Sequence, residues 1–533
     1  MAKVIFKHIN TYFKETDKQL LLFLVLFLNV KLLIKCLAIL IIYFSKPAHR
    51  FGFKRKFTGL SFFYPVMICI GVLNYFINAG FTDISDTVKL FSGIFSWLLC
   101  LLAMYQVKQF TEMSPVSSVH KAVTIFFLLN ILVTAIQLFL IIIEIHDANP
   151  YRYQGLNQKY FISTGDYIKG LSFDTSTTNA VLNAFGVFYF LYRKQYLMVP
   201  CCMAALLLTG SNTTNIILLV VFLYCFIFQS SKSMKSIMVV CICMMVVFMT
   251  QISPQNNDYA TQIVQHLLGK KQVANSLAAS RADATRQKLN QSADPQYRIA
   301  RNYLDSMAAR DLQKAQYSIE KNERPVLPKD NIHSAPFQHK PDSSAGRMQV
   351  IQLAGRLRKN KDSVVLKQKE KLPGKILAVQ ESFWYLKTHP EKILTGSGMG
   401  NFSSKLAFRA TGLKVSGGYP QKFVQINPAF ADNHLAIFLD YFGKDSGYHS
   451  VIHSPNSVYL QLLSEYGLIG VTAFLLLYLR YFIRMAGKKT EAIPLILLLS
   501  AFFFTDYWFE QLSVVVVFEL LLFLQTGNKT VNE

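Results

Sequence analysis

The chain has 533 residues, of which 52% are hydrophobic, 14% aromatic and only 16% charged, and its mean hydropathy is +0.28. Soluble domains usually carry about a quarter charged residues, so this composition excludes an ordinary soluble protein, a disordered chain and a collagen-like or disulfide-rich secreted protein. In a chain this apolar, the net charge of +24 is better explained by basic residues that set membrane topology and bind anionic lipid than by binding of nucleic acid. All eight cysteines lie in apolar runs, so the sequence predicts neither a disulfide framework nor a cysteine-based metal site.

Eleven apolar segments are predicted to cross a membrane as helices, since about 20 apolar residues span about 30 Å of hydrocarbon. In chain order they are 19–44, 57–79, 90–107, 121–146, 177–192, 195–210, 213–229, 234–252, 457–483, 491–506 and 509–526. The first is longer than the core of a signal peptide, about 7–15 residues, so we expect it to stay as an anchor. The sequence therefore predicts an all-α polytopic membrane protein.

Short basic connections stay on the cytoplasmic side of a membrane. They occur here at 46–56, 193–194, 232–235 and 480–489, and alternation places 80–89, 147–176, 253–456 and 504–510 outside. The N-terminus departs from this pattern, because its lysines would lie outside if 19–44 crossed once. Lys31 and Lys35 also fall near the middle of that segment. A first segment broken into two short helices would explain both features and would give twelve crossings, with both termini inside.

The long external stretch 253–456 separates transmembrane parts at 1–252 and 457–533. It contains 29 basic and 16 acidic residues, and long loops translocate largely regardless of charge. A polar part with helical propensity (258–323), a proline-punctuated part (325–343) and a basic run (356–375) precede a remainder richer in aromatic residues and glycine. We expect this loop to be mainly helical.

Two motifs lie at the end of the loop. An amphipathic helix predicted at 376–388 leads through Pro390 into a turn with Gly396, Gly398 and Gly400. Glycines spaced by two let backbone N–H groups approach an anion, although a tight turn under a helix end would show the same spacing. His453 then stands where the loop enters the next span. The spacing of His449 and His453 is that of a metal pair, but no cysteine or HExxH pattern supports a metal site, and we predict none.

The second motif resembles the O-antigen ligase and polymerase superfamily of bacterial envelope glycosyltransferases. The matching positions are His453, Asn456, Tyr459, Leu460, Leu463, Glu465, Gly467, Leu468 and Gly470, preceded by Gly396, Gly398 and Phe402 in the glycine turn. Upstream, Arg152 and Gly155 resemble the family's Arg-x-x-Gly. Lys375 stands where the family usually has a second loop arginine, so either Lys375 replaces it or Arg356 and Arg358 do. The resemblance covers about 150–480.

The resemblance implies a GT-C-like glycosyltransferase at the plasma (inner) membrane, with no cofactor and no metal. Its donor would be a glycan on a polyprenyl (undecaprenyl) diphosphate and its acceptor a sugar, lipid A-core or protein hydroxyl. Fixed cations lower the barrier where a diphosphate leaves as an anion, which makes Arg152 a candidate catalytic residue and Lys375 a candidate substrate-binding residue. His453 is the candidate group that takes the proton of the acceptor hydroxyl.

Four further residues complete the predicted substrate-binding set. Gly396 and Gly398 would supply N–H donors, and Asn456 belongs to the matched run. Glu465 also belongs to it, but an ionisable residue inside a span usually faces the protein interior, so it is a structural partner for a cation or backbone at least as much as a ligand.

Two other classes of protein remain open. A transporter or flippase would also be all-helical and many-spanning, although such folds show paired, broken segments and several buried ionisable groups. A membrane scaffold would explain the large basic loop and leave both motifs unexplained. Within the enzyme class, a ligase and a polymerase share the same sequence features.

Overall fold

The computed structural model describes residues 12–45, 60–78, 80–153, 164–254, 373–411, 419–420, 423, 425–442, 451, 454–487 and 490–526. Every regular element in these ranges is helical, which confirms the predicted all-α class. His449, His453, Arg356 and Arg358 lie outside the described residues, as do most of the predicted subdivisions of the long loop.

Within the described residues, nine α-helices precede the long loop. They are α1 (Lys18–Phe27), α2 (Leu32–Ser45), α3 (Phe63–Ile77), α4 (Ile84–Met113), α5 (Val116–Ile145), α6 (Ser176–Tyr192), α7 (Met198–Leu208), α8 (Asn212–Phe228) and α9 (Lys232–Val247), and a π-helical turn (Phe248–Ile252) extends α9. Polar side chains fix several starts: Asp17 accepts the N–H groups of Gln19 and Leu20, and Ser231 accepts that of Met234. Such N-caps satisfy backbone donors that a helix leaves free.

The described end of the loop contributes α10 (Gly374–Thr388), α11 (Lys405–Ala410), α12 (Pro428–Asn433) and α13 (Leu435–Phe442). The C-terminal part contributes α14 (Val458–Ala473), a π-helical stretch (Phe474–Leu479), α15 (Arg480–Ala486), α16 (Ile493–Phe502), α17 (Trp508–Gln511) and α18 (Ser513–Thr526). The amphipathic helix predicted at 376–388 corresponds to α10.

In the part of the chain that the structure describes, four helical stretches are long and apolar enough to cross a membrane. They are Ile84–Met113, Val116–Ile145, Lys232–Ile252 and Val458–Ala486, and seven shorter apolar helices accompany them. The fold is therefore that of a helical membrane protein, while the count of eleven or twelve crossings stays a prediction.

The first apolar segment is broken, as its two lysines suggested. Helices α1 and α2 pack against each other on either side of a four-residue turn. Lys31 lies exposed in this turn, whereas the buried ammonium of Lys35 donates to the carbonyl oxygen of Phe27 at 2.7 Å and to the hydroxyl of Ser513 at 2.9 Å. Lys35 thus satisfies the end of α1 and ties it to α18, instead of facing lipid.

Helix α18 lies at the centre of the fold, because all of its residues are buried. It packs against α4 and α6. The last described part of the loop lies on this bundle through two contacts: α10 packs against α14, and α11 packs against α4. Helices α12 and α13 in turn pack against α10. This arrangement places the glycine turn, which joins α10 to α11, beside the middle of α14.

Candidate functional site

The helix that carries the matched motif is interrupted at Gly467. This glycine has φ +65° and ψ −164° inside α14, a conformation that residues with a side chain rarely adopt. A Cβ at this position would lie 2.3 Å from the carbonyl oxygen of Leu394. Only glycine therefore fits, both because of the backbone conformation and because another segment passes directly against it.

That segment is the glycine turn, which pairs with the interruption through four backbone hydrogen bonds. Ser397 and Gly398 donate to the carbonyl oxygens of Ser464 and Glu465 at 2.8 and 3.0 Å, and Leu468 and Ile469 donate to those of Ile393 and Leu394 at 2.9 and 3.2 Å. A broken helix frees backbone groups that must find partners when buried. The turn supplies these partners, so the loop is locked to α14.

The side chain of Glu465 is held by the same turn. Its Oε2 accepts the N–H of Gly400 at 2.8 Å and its Oε1 accepts that of Phe402 at 3.1 Å, and the residue is fully buried. Lys89 lies near enough to interact with it electrostatically, and its ammonium donates to Oδ1 of Asn401 at 2.5 Å. The anion that this glycine-rich turn encloses is therefore a carboxylate of the protein itself.

The three glycines of the turn have positive φ angles: +77° for Gly396, +94° for Gly398 and +73° for Gly400. The predicted anion donor Gly398 uses its N–H for the carbonyl of Glu465, and Gly396 uses its N–H for the carbonyl of Lys392 at 2.7 Å. These contacts are those of a tight turn under a helix end, which is the alternative interpretation, because both N–H groups already have backbone acceptors.

Lys375 holds the segment that enters α14. From the first turn of α10, its ammonium donates to the carbonyl oxygens of Ser454 (3.2 Å), Asn456 and Thr505 (3.4 Å). Burial lowers the pKa of Lys375 to about 7, and the nearby carboxylate of Asp506 opposes this effect. All three N–H donors of the ammonium have acceptors in the protein, so Lys375 fixes the residues that directly follow His453.

Asn456 connects this segment to Asp506, which lies between α16 and α17. Its Nδ2 donates to Oδ1 of Asp506 at 3.2 Å, and its own N–H donates to Oγ of Ser454 at 3.1 Å. Asp506 also accepts the N–H of Tyr507 at 2.7 Å and Nε2 of Gln511 at 2.6 Å. Burial raises the pKa of Asp506, and Lys405 opposes this rise.

Arg152 does not join this cluster through any contact among the described residues. It lies exposed in a short 3₁₀ helix (Pro150–Arg152), and its Nη2 donates to the carbonyl oxygen of Gln251 at the end of the π-helical turn. The preceding Tyr151 donates to the carbonyl oxygen of Leu208. The structure thus joins Lys375 to Asn456 before α14 and the glycine turn to Glu465 within α14, and Arg152 contacts neither set among the described residues.

Sequence reasoning offered His434 only as an alternative base to His453, and it missed the other polar residues in this part of the site. His434, in the turn between α12 and α13, is fully buried, and its Nε2 lies 3.3 Å from Oγ of Ser403, which also contacts the hydroxyl of Tyr507 at 2.8 Å. Glu510 binds the side chain of Gln461 at 2.6 Å. The signal that would have found the C-terminal part is the pair of acidic residues, Asp506 and Glu510, in a short connection between two very apolar helices.

No protein-family model, curated protein or solved structure matches the chain. The chemistry of this site is therefore interpreted from its own residues and contacts.

Proposed function

We propose that the chain is a membrane glycosyltransferase of the O-antigen ligase or polymerase type. It transfers a glycan from a polyprenyl diphosphate donor to a hydroxyl acceptor on the outer face of the plasma membrane. The observation that carries the proposal is that two parts of the loop bind the matched motif at two places, its entry segment before α14 and the interruption in the middle of α14. The glycine turn binds the interrupted helix at Gly467, and Lys375 binds the carbonyls of Ser454 and Asn456.

This convergence supports the proposal because the matched residues form one structural unit. A chance resemblance gives no reason for the glycine turn, 57 residues before His453 at its first glycine, to hydrogen-bond to the motif that follows this histidine. The unit contains a rigid framework, made by the turn and Glu465, and an entry segment held by Lys375. His453 directly precedes that segment.

The proposed reaction breaks the bond between the anomeric carbon of the donor sugar and the diphosphate oxygen. The acceptor oxygen forms the new bond to that carbon and loses its proton to the imidazole of His453. The diphosphate leaves with the bonding electrons as an anion, and cations of the chain stabilise the developing charge. A positioned general base is typically worth about 10²- to 10⁴-fold in rate.

The transporter alternative draws on the two helix breaks, at 28–31 and at Gly467, since transporters use broken helices to bind substrates and ions. In this chain the side chain of Lys35 satisfies the first break and the glycine turn satisfies the second. Backbone groups already paired within the protein are not free to bind a transported solute. The described contacts therefore favour the enzyme.

The test uses the purified full-length protein in nanodiscs with an undecaprenyl diphosphate-linked oligosaccharide. A second lipid-linked oligosaccharide serves as the acceptor for a polymerase and lipid A-core for a ligase, and mass spectrometry detects the product. We expect transfer to one of them and a fall of about 10²-fold or more in His453→Ala. His453→Gln, which keeps a hydrogen bond without the basicity, separates positioning from proton transfer.

The matched control is His389→Ala, which removes an exposed histidine at the end of α10 and should retain the wild-type rate. The proposal would be wrong, and the chain would be a flippase, if neither acceptor is consumed and a fluorescent lipid-linked sugar crosses the membrane of proteoliposomes that contain the protein. Wild-type transfer by His453→Ala would move the base to another group, with His434 and Glu465 next to be tested.

A further inference from the structure

The short helix α11, which directly follows the glycine turn, carries two cations. Lys405 and Arg409 are four residues apart, so they share one face of the helix with their Cβ atoms about 5–6 Å apart. Both are half-buried. The N-cap of α11, Ser404, is fully buried and accepts the N–H of Ala407 at 2.9 Å, and α11 packs against α4. The two cations are therefore attached to a fixed part of the site.

Neither cation has a direct counter-charge in the described part of the chain. No ion pair or side-chain hydrogen bond is formed there by Lys405 or Arg409, and the Nε atom of Arg409 is buried without a hydrogen-bond partner. The other cations of the site differ, since Lys89 pairs with Asp86 and Lys375 binds three carbonyl oxygens. Partly buried charges are normally paired. Among the described residues, the side-chain N–H donors of Lys405 and Arg409 are therefore available to a ligand.

The carboxylates nearest to α11 already have other partners. Glu510 accepts Nε2 of Gln461 at 2.6 Å and the N–H of Leu406 at 3.0 Å, and it interacts with Lys405 and Arg409 only electrostatically. Asp506, which Lys405 also influences, is bound by Asn456, Tyr507 and Gln511. Neither acid forms an ion pair or a hydrogen bond with Lys405 or Arg409 among the described residues, so these carboxylates do not occupy the N–H donors of the two cations.

We propose that Lys405 and Arg409 together bind the diphosphate of a polyprenyl diphosphate. The planar guanidinium of arginine can donate two parallel hydrogen bonds to one phosphate, and the lysine ammonium acts as a point charge on the other. This assignment rests on the proposed function for the identity of the donor. The resemblance placed the second cationic role at Lys375; the proposal gives it to Lys405 and Arg409, whose side-chain donors have no hydrogen-bond partner among the described residues.

The experiment measures binding directly, apart from glycan transfer. Purified full-length protein in phosphatidylcholine nanodiscs is titrated with undecaprenyl diphosphate, with inorganic pyrophosphate and with phosphatidylglycerol, which separates a lipid diphosphate from a free anion and from a general anionic headgroup. The variants are Arg409→Gln, Arg409→Lys and Lys405→Gln. Lys387→Gln is the matched control, because Lys387 is an exposed cation of α10 that lies over the ring of Trp384.

We expect Arg409→Gln to raise the Kd for undecaprenyl diphosphate about tenfold or more, which is the loss of a hydrogen bond to a charged group. Arg409→Lys and Lys405→Gln should raise it less, Lys387→Gln should leave it within about twofold, and phosphatidylglycerol should not compete at equal concentration. Because Arg409→Lys keeps the charge, it reports on the site even if Arg409→Gln is poorly folded.

Wild-type affinity in both Arg409 variants and in Lys405→Gln would overturn this assignment, as would a wild-type protein that binds no undecaprenyl diphosphate. If the wild type transfers glycan while these variants bind normally, only this assignment fails. If the wild type binds the diphosphate through Arg409 but transfers no glycan, the proposed function fails and the binding site stands.

Discussion

The Oε2 atom of Glu465 accepts the backbone N–H of Gly400 at 2.8 Å, while Oε1 accepts that of Phe402 at 3.1 Å. A buried acid of α14 and the glycine turn that precedes α11 thus hold each other. The helix interruption at Gly467 and the acid at 465 act on the same turn from two sides. The geometry of the site consequently depends on residues that need not touch a substrate.

Glu465→Gln should lower the thermal stability of the protein. An amide has one acceptor oxygen and one NH₂ group, so one of the two buried N–H groups at 400 and 402 would lose its acceptor and face a donor. Such a loss costs about 1–3 kcal/mol. Thermal unfolding in detergent measures it, with Glu391→Gln, an exposed acid after α10, as the control. Equal melting temperatures for the two variants would contradict this role of Glu465.

Gly467→Ala should disrupt the site far more than Gly487→Ala. Both glycines have positive φ, +65° and +53°, which costs a residue with a side chain about 1–2 kcal/mol. Only Gly467 also faces a close contact, because its Cβ would lie 2.3 Å from the carbonyl oxygen of Leu394, whereas the nearest atom at Gly487 is 3.7 Å away.

The pair of variants therefore separates steric conflict from backbone strain. We expect Gly487→Ala to fold and to keep wild-type limited-proteolysis sites, and Gly467→Ala to expose new sites near 390–400 as the turn detaches. Identical proteolysis patterns would show that the helix and the turn can part without consequence.

The half-buried ammonium of Lys375 should make the stability of the folded protein depend on pH above neutrality. Its pKa is lowered from 10.5 to about 7 in the folded protein, so between these values the unfolded chain binds a proton that the folded chain does not. Stability from this group therefore rises with pH between about 7 and 10.5 and is lost as pH falls through 7. Lys375→Met should remove that part of the slope. Parallel melting temperatures of wild type and variant from pH 7 to 10 would argue against a buried, shifted lysine.

Three features could be predicted from the sequence: the helical class, the break in the first apolar segment, and the proximity of the glycine turn to the motif that follows His453. Apolar runs of membrane length are a strong signal, and Lys31 and Lys35 could not both face lipid. The glycine turn was recognised for its conformation, yet its ligand was not: a pattern of glycines shows that N–H groups can converge, but not whether a phosphate or a carboxylate 65 residues later in the chain receives them.

Long-range pairing also explains the other differences. Lys375 was predicted as a free cation because nothing in a basic run reveals that three carbonyl oxygens from 454, 456 and 505 surround it. Lys405 and Arg409 were passed over because their environment depends on the packing of α11 against α4 and on acids near the C-terminus. Contacts between distant segments decide which charges are free, and sequence spacing does not report them.

The predicted topology can be tested with two cysteine variants. Lys340→Cys in the long loop should react with a membrane-impermeant maleimide in intact spheroplasts, and Lys488→Cys, in the basic connection after α15, should react only after permeabilisation. The wild-type protein gives the background, since its cysteines lie in apolar segments. The reverse labelling pattern would place the loop inside and remove the basis for transfer of a lipid-linked glycan on the outer face.

Arg152 offers the last test, because its position allows two roles. Its guanidinium donates to the carbonyl oxygen of Gln251 and so completes the end of the π-helical turn. The residue is exposed, and among the described residues its other N–H groups have no hydrogen-bond partner that would compete with a phosphate. Arg152→Gln can keep one hydrogen bond to that carbonyl but has no charge, and Arg152→Lys keeps the charge but cannot bind a phosphate through two parallel bonds.

If Arg152 binds the diphosphate, Arg152→Ala should abolish glycan transfer, Arg152→Gln should nearly do so and Arg152→Lys should impair turnover, all with normal amounts of protein in the membrane. If it only completes the helix end, Arg152→Gln should work and melt like wild type. Arg193→Ala, the loss of an exposed arginine after α6, controls for the change in charge. Wild-type transfer by Arg152→Ala would move the role to another cation, with Lys169 of the same predicted external connection the first to be examined.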